Sequence, residues 1–159
     1  MEIKYVKLSD ATLIHHLMIK AFKEYKDAVP PSSALEETVQ SISASLKEGE
    51  QGFICYIDHK PVGMVRFRLN EKGLYFYRLS VIPEKQGQGI AKKILKSLED
   101  YAINNGIHRL SCKVRMTVPK NIQLYSSIGF NIYEEEVVHK PNGINIKVVS
   151  MEKKLSFID

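Results

Sequence analysis

Apolar and polar residues recur with two periods along the chain, and these periods separate strands from helices. Residues 2–7 alternate Ile3 and Tyr5 with polar neighbours, which predicts a strand. Ser9 and Asp10 then offer an N-cap before apolar residues at helical spacing. The chain therefore begins as a strand followed by a helix, whose apolar stripe is Leu13, Ile14, Leu17, Met18, Ala21 and Phe22.

The run 29–33, with two consecutive prolines, breaks this helix and is a candidate substrate-side loop. A second amphipathic stripe, ended by Gly49, consists of Leu35, Val39, Ile42 and Leu46. Three β-rich runs follow, and the short polar turns between them favour an antiparallel meander. These runs cover residues 53–57, 62–69 and 74–82.

A third amphipathic helix starts at Ile90, directly after a glycine-punctuated turn, and stops at Asn104, Asn105 and Gly106. The next strand, 110–116, should lie parallel to the strand before the turn, because a strand, crossover helix and strand pack in that way. A short helix and a terminal hairpin complete the chain. The predicted fold class is α/β with a mixed sheet, in the order β-α-α-β-β-β-α-β-α-β-β.

Length and composition predict one globular domain over residues 1–159. Hydrophobic residues at 44% and charged residues at 26% are ordinary for a packed protein and argue against disorder or a fibre. Apolar runs stay short of the ~18 residues that a membrane span needs, so the expected location is the cytoplasm, without a membrane partner. Cys55 and Cys112 lie in apolar strand patterns and are expected to be reduced core residues.

The formal net charge of +5 suits an anionic ligand, nucleic acid, or simply a solvated surface. A Lys/Arg tract interleaved with aromatic residues is missing from the sequence, which disfavours nucleic acid as a partner. His15 and His16 are adjacent, which is a poor spacing for a metal pair on a helix, and no metal is expected.

The turn that contains Gly87 and Gly89 is suited to holding phosphate. Glycines leave the backbone open to an anion, and the first amides of the following helix have no acceptor within it. These amides and the positive end of the helix dipole form an anion site. Gly-x-Gly is also a common way to turn a corner, so this motif alone leaves both interpretations open.

The remaining motifs make the pattern specific. Pro83-Glu84 and Gln86-x-x-Gly89-x-Ala91 precede the third helix, and a Leu-Tyr-x-x-x-Gly-Phe run spans residues 124–130. In this order the chain resembles the GNAT superfamily of acetyl-coenzyme A-dependent N-acetyltransferases. The motifs cover residues 75–130, and the flanks agree in pattern only. The resemblance implies a mixed sheet that is splayed between its central parallel strands.

The resemblance also implies acetyl-coenzyme A as co-substrate. Backbone amides of residues 88–91 would hold the pyrophosphate, and main-chain groups of Leu79 and Val81 would pair with pantetheine. The full set of implied cofactor-binding residues is Leu79, Ser80, Val81, Gln86, Gly87, Gln88, Gly89, Ile90, Ala91, Asn121 and Tyr125.

Two residues carry the implied catalysis. The backbone N–H of Leu79 would polarise the acetyl carbonyl, and the Tyr125 hydroxyl would act as general acid toward the departing sulfur. A phenol with a reference pKa of ~10 is a proton donor at neutral pH. The alternative for Tyr125 is a core tyrosine beside Leu124 and Ile128 on an amphipathic helix.

Some positions depart from the family pattern. Val118 stands where many relatives carry a pantetheine-contacting Asn, and Asn121 is the nearer substitute. Lys113 stands where relatives that acetylate protein N-termini often have a glutamate that acts as general base, which puts that activity in doubt. The proton is then taken by an ordered water or by a group elsewhere, with Glu24 and Tyr25 as candidates.

The predicted activity is transfer of acetyl from acetyl-coenzyme A to a primary amine of a small-molecule acceptor, by direct attack in a ternary complex. One rival is a non-catalytic acyl-coenzyme A sensor. Another is a basic nucleic-acid-binding domain whose glycine turn holds a backbone phosphate. The terminal strands could also pair between two copies as a homodimer.

Overall fold

The computed structural model describes residues 1–23, 33–141 and 143–156. The strands are β1 (Glu2–Tyr5), β2 (Gln51–Ile57), β3 (Lys60–Asn70), β4 (Gly73–Val81), β5 (Arg109–Arg115), β6 (Asn131–His139) and β7 (Asn145–Lys154). The α-helices in the described ranges are α1 (Ala11–Phe22), α2 (Val39–Lys47), α3 (Ile90–Asn104) and α4 (Pro119–Ser127). The strands form one sheet in the order β1-β2-β3-β4-β5-β7-β6.

The mixed sheet contains the predicted parallel pair. Strands β4 and β5 pair in parallel, with Leu74 opposite Leu110 and Tyr75 opposite Ser111, and β4 then continues to Val81. The pairs β1–β2, β2–β3, β5–β7 and β6–β7 are antiparallel. The predicted fold class and element order are confirmed.

Residue contacts divide the chain into two compact units. The first comprises Met1–Arg68 and Phe76–Leu98, and the second Leu69–Tyr75 and Glu99–Asp159. The core of the first unit packs the apolar faces of α1 and α2 against β2 and β3; its members are Ala11, Ile14, Leu17, Met18, Ala34, Ile42, Ile54 and Met64. The amphipathic stripes read from the sequence therefore supply this core.

The second predicted helix is divided in the structure. A short 3-10 turn, Ser33–Glu36, precedes α2, which starts only at Val39. The reason is a reciprocal cap, because the Thr38 hydroxyl accepts from the Ser41 amide at 3.0 Å and the Ser41 hydroxyl accepts from the Thr38 amide at 2.9 Å. Of the predicted break, residues 29–32 lie outside the described residues.

In the second unit, β7 lies between β5 and β6, which leaves β6 at the edge of the sheet. Glu134 and Glu135 on β6 are exposed, as an acidic edge strand requires. Cys112 of β5 and Cys55 of the first unit are both buried free thiols, as expected. Burial raises the pKa of Cys112 to about 12, so this thiol stays protonated. Across the described ranges, no helix is both long and apolar enough to cross a membrane.

A buried ion cluster lies in the first unit and was not predicted. The side chains of Arg66 and Glu50 are each 1% exposed, and Arg66 Nε donates to Glu50 Oε2 at 2.9 Å. Arg66 Nη1 also donates to both oxygens of Glu37 at 2.9 Å, and the Tyr77 hydroxyl donates to Glu50 Oε1. Burial lowers the pKa of Arg66, but its hydrogen bonds and the two carboxylate charges raise it by more.

Replacement of Glu50 by Ala should therefore destabilise the protein strongly. Arg66 would keep Glu37 but lose the acceptor of its Nε, Tyr77 would lose an acceptor too, and breaking a buried ion pair costs about 3–5 kcal/mol. Urea denaturation of Glu50→Ala measures this loss in the free energy of unfolding. The control is Glu2→Ala, which breaks the exposed Glu2–Lys4 pair (side chains 58% and 59% exposed) and should cost less than about 1 kcal/mol. Equal losses of stability in both variants would contradict the conclusion that the Glu50–Arg66 pair is buried and costly to break.

Candidate active site

The segment between β4 and α3 is held in shape by its own hydrogen bonds. After β4, the 3-10 turn Pro83–Lys85 is closed by a bond from the Lys85 amide to the Ile82 carbonyl at 2.9 Å. The side-chain amide of Gln86 reaches back to the Val81 carbonyl at 3.1 Å. Gln86 thus fixes the loop to the end of the strand, and the Val81 carbonyl already accepts one hydrogen bond.

The two glycines of the loop have the conformation that the motif requires. Gly87 and Gly89 have φ values of +80° and +78°, a region that other residues adopt only with strain. A Cβ atom built on either glycine meets no atom within 4 Å. The side of the backbone where a Cβ would lie is therefore open at both glycines, and an anion could approach it closely.

The first turn of α3 continues this surface. Its first intrahelical hydrogen bond runs from the Lys93 amide to the Gly89 carbonyl at 3.1 Å, so the amides that precede Lys93 have no acceptor within the helix. Ile90, the first residue of α3, is 1% exposed, so its buried side chain fixes the start of the helix to the core. At Gly63 of β3, an added Cβ would lie 2.9 Å from the Ser80 carbonyl and 3.1 Å from Ile94 Cδ1, so the absent side chain lets β3, β4 and α3 approach.

These features fit a diphosphate group. Gln88 and Gly89 are exposed residues, and the helix dipole adds positive potential at the N-terminus of α3. The fit depends on the backbone and on open space rather than on particular side chains. The predicted role of residues 88–91 as a cradle for the diphosphate of coenzyme A requires these features.

Upstream of the loop, β4 contains Arg78, which belongs to none of the motifs read from the sequence. Arg78 has φ +56°, the left-handed region, although it is not a glycine. Its guanidinium Nε donates to Glu37 Oε2 at 2.9 Å, and its carbonyl accepts from Ser80 Oγ at 2.8 Å. It directly precedes Leu79, which is half-buried, while Ser80 is buried. A charged residue between apolar strand positions was the only signal in the sequence.

The second unit contains the other two predicted site residues, and it is described separately. Asn121 and Tyr125 lie four positions apart on α4 and therefore share one face of the helix. Tyr125 is buried, and its ring centroid is 5.8 Å from that of Phe130. The Phe130 amide donates to the Tyr125 carbonyl at 3.0 Å, which closes the end of the helix. The ring of Tyr125 therefore packs in the core, as the alternative interpretation expects, and this packing is compatible with a catalytic role of its hydroxyl.

Lys113 is engaged in an ion pair. Its Nζ donates to Glu136 Oε1 at 2.8 Å. This hydrogen bond raises the pKa of Lys113, against the smaller opposing effect of desolvation. The lysine therefore stays charged at neutral pH and cannot accept a proton. The alternative bases Glu24 and Tyr25 lie outside the described residues.

A metal-binding group does not emerge from the described part of the chain, where no three His, Cys, Asp or Glu side chains are clustered suitably.

Comparison with known families decides the assignment of the chain. Residues 13–130 match the model of the acetyltransferase (GNAT) family. The protein belongs to the GNAT acetyltransferase family. It is an enzyme, a GNAT-type N-acetyltransferase, as the motifs of residues 75–130 predicted. GNAT enzymes generally use acetyl-coenzyme A and act on amines of small molecules or of proteins.

Solved structures agree on the fold of this GNAT protein. The ribosomal-protein-S18-alanine N-acetyltransferase from Escherichia coli superposes with a TM-score of 0.80 at 19% identity, covering 99% of this chain and 96% of that chain. A ribosomal-protein-alanine N-acetyltransferase from Brucella melitensis gives 0.80 at 15% identity, with coverage of 98% and 100%. A variant of spermidine N-acetyltransferase from Vibrio cholerae gives 0.74 at 19%, with 97% and 95%. No curated protein matches the sequence significantly.

Proposed function

We propose that this GNAT protein transfers acetyl from acetyl-coenzyme A to a primary amine of a small molecule, as a single cytoplasmic domain. The observation that carries the proposal is the open main-chain cradle of residues 86–91. Gly87 and Gly89 have open space at their Cβ positions there, and the first turn of α3 adds amides that have no acceptor within the helix. All residues of the cradle lie in the first compact unit.

The co-substrate supplies an acetyl thioester. The backbone amides of residues 88–91 bind its diphosphate, and the main-chain groups of Leu79 and Val81 pair with the amides of its pantetheine arm. Ser80, Gln86 and Gly87 complete this surface. Asn121 is proposed to contact the pantetheine arm in place of the Asn that many relatives carry at the position of Val118.

Each proton and bond of the transfer has a proposed partner. The Leu79 N–H donates to the carbonyl oxygen as negative charge develops on it. The amine nitrogen forms the new bond to the acetyl carbon, the carbon–sulfur bond breaks, and Tyr125 gives its hydroxyl proton to the departing thiolate. The proton lost by the amine passes to an ordered water.

Lys113 argues against acetylation of protein N-termini in the manner of the relatives that use a glutamate base. At this strand position, the family members that acetylate protein N-termini often use a glutamate as base, whereas Lys113 is a cation held by Glu136 at 2.8 Å. A charged lysine cannot act as the general base that takes a proton from the acceptor amine. This observation favours an acceptor other than a protein N-terminus.

Gly89→Glu should abolish binding of coenzyme A. The glutamate would put bulk and negative charge where the diphosphate is proposed to bind, and its backbone would be strained at φ +78°. Titration calorimetry with coenzyme A measures the affinity. Gly106→Glu is the matched control, since Gly106 has φ +70° and equally open surroundings but follows the other end of α3. Unchanged affinity in Gly89→Glu would place the diphosphate elsewhere.

Tyr125→Phe should lower the turnover number by roughly 100-fold while the affinity for coenzyme A stays nearly the same, because only the proton donor is lost. Release of free thiol measures turnover. Tyr5→Phe on the exposed strand β1 serves as the control and should keep the wild-type rate. A wild-type rate in Tyr125→Phe would remove this residue from the role of general acid.

A panel of amines tests the acceptor class. The panel contains a polyamine, an aminoglycoside, a small amino metabolite and an alanine-terminated peptide, each assayed for thiol release from acetyl-coenzyme A. We expect turnover with a small amine and not with the peptide. Binding of acetyl-coenzyme A without turnover on any amine would favour an acyl-coenzyme A sensor. Salt-sensitive binding of nucleic acid without affinity for coenzyme A would overturn the proposal.

A further inference from the structure

Arg78 combines a strained backbone with a side chain that is fixed at several points. Its φ of +56° lies within β4, whereas the other non-glycine residues with positive φ in the described ranges, Asp58 and His59, belong to the β2–β3 turn. A side chain on Cβ disfavours this conformation, so it persists only where the surroundings enforce it. The position of the strained residue matters because Leu79 follows it.

Arg78 and Leu79 share one peptide group. The carbonyl of Arg78 and the N–H of Leu79 lie in the same plane and point in opposite directions. The Ser80 hydroxyl donates to that carbonyl at 2.8 Å. A hydrogen bond that fixes the carbonyl direction therefore fixes the direction of the Leu79 N–H as well.

The side chain of Arg78 is also fixed, by hydrogen bonds to Glu37 and Ser33. Nε donates to Glu37 Oε2 at 2.9 Å, and Nη2 donates to Ser33 Oγ at 3.1 Å. Glu37 is itself held, because Nη1 of the buried Arg66 donates to both of its carboxylate oxygens at 2.9 Å. One carboxylate thus connects the strained residue to the buried ion cluster.

We propose that Arg78, Glu37 and Ser80 are positioning residues that aim the Leu79 N–H at the acetyl carbonyl. The inference rests on the proposed function, in which that N–H polarises the carbonyl. Glu37 and Arg66 hold the guanidinium of Arg78, the guanidinium holds φ in the left-handed region, and Ser80 sets the peptide plane.

The direction of a donor decides what it contributes. A hydrogen bond weakens steeply as its angle falls, and an oxyanion donor acts only where charge develops. A rotated 78–79 peptide should therefore lose carbonyl polarisation and turnover. Affinity for coenzyme A without an acetyl group should persist, because the proposed diphosphate site uses the amides of residues 88–91.

Infrared spectroscopy of bound acetyl-coenzyme A, labelled with carbon-13 at the acetyl carbonyl, reports this polarisation directly and needs no acceptor. In the wild type, we expect the carbonyl band to move to lower frequency on binding. In Arg78→Ala it should return toward the position of the free thioester. The dissociation constant for coenzyme A should change by less than about threefold, and kcat should fall by roughly 10-fold or more.

Arg78→Gly provides a matched comparison. Both variants lose the ion pair with Glu37, but glycine adopts positive φ without strain and alanine does not. If the ion pair acts by holding φ, the glycine variant keeps more of the band shift and more of kcat than the alanine variant. A structural role of the guanidinium alone would affect the two variants equally, and that result would overturn the inference.

Two other variants test the same peptide group. Ser80→Ala removes the bond to the Arg78 carbonyl with little change in volume, so it remains informative if a variant of Arg78 fails to fold. Glu37→Gln should weaken the hold on both guanidinium groups and reduce the band shift in the same way. His59→Ala is the control for loss of a side chain at positive φ, since His59 is exposed at φ +65° in the β2–β3 turn.

The outcomes separate the inference from the proposed function. A wild-type protein that binds neither coenzyme A nor its acetyl form overturns both. A wild-type protein that binds acetyl-coenzyme A without a band shift leaves the diphosphate site standing and overturns the inference. A wild-type band shift that persists in Arg78→Ala and Ser80→Ala also overturns it. Loss of the shift in these variants, with His59→Ala unchanged, supports it.

Discussion

The proposed chemistry depends on main-chain N–H groups, and the direction of a peptide group is set only by the dihedral angles on either side of it. A catalytic side chain can be positioned by its own rotamer, but a catalytic amide needs a rigid backbone. In the first unit this rigidity has two sources. The loop before α3 is held by the Lys85–Ile82 and Gln86–Val81 hydrogen bonds, and Arg78 is held in its conformation by its bond to Glu37.

The need for a rigid backbone offers a reason for the buried ion cluster of Arg66, Glu50 and Glu37. An arginine and a glutamate that are almost fully buried bring little net stability compared with apolar residues of the same size. They do supply fixed directions, because Arg66 holds Glu50 with one nitrogen and Glu37 with another. Glu37 precedes α2 in the chain, and its carboxylate binds a residue of β4. The cluster thus ties the segment before α2 to the strand that carries Leu79.

The sequence predicted local structure well where one short-range pattern decided it. Alternation and short turns identified the strands, and glycines 87 and 89 marked a turn whose backbone has the expected positive φ. The cap at Thr38 that starts α2 was missed, although its Thr-x-x-Ser pattern is visible in the sequence. The ion cluster was missed for a different reason. Arg66 sits within an apolar strand, and its partners depend on strand register and on long-range packing, which a local pattern does not contain.

Most contacts of the proposed site come from the backbone, which explains why only a few residues of the sequence pointed to it. The structures from Escherichia coli and Brucella melitensis share the fold with this chain at 19% and 15% identity. An amide donor needs no particular side chain, so the motif reduces to glycines that leave space and to residues that fix the chain. The side chains that fix it can differ from protein to protein, provided that the peptide group keeps its direction. Arg78, Glu37 and Ser80 are the residues proposed to set this direction in the present chain, and the family motif does not include them.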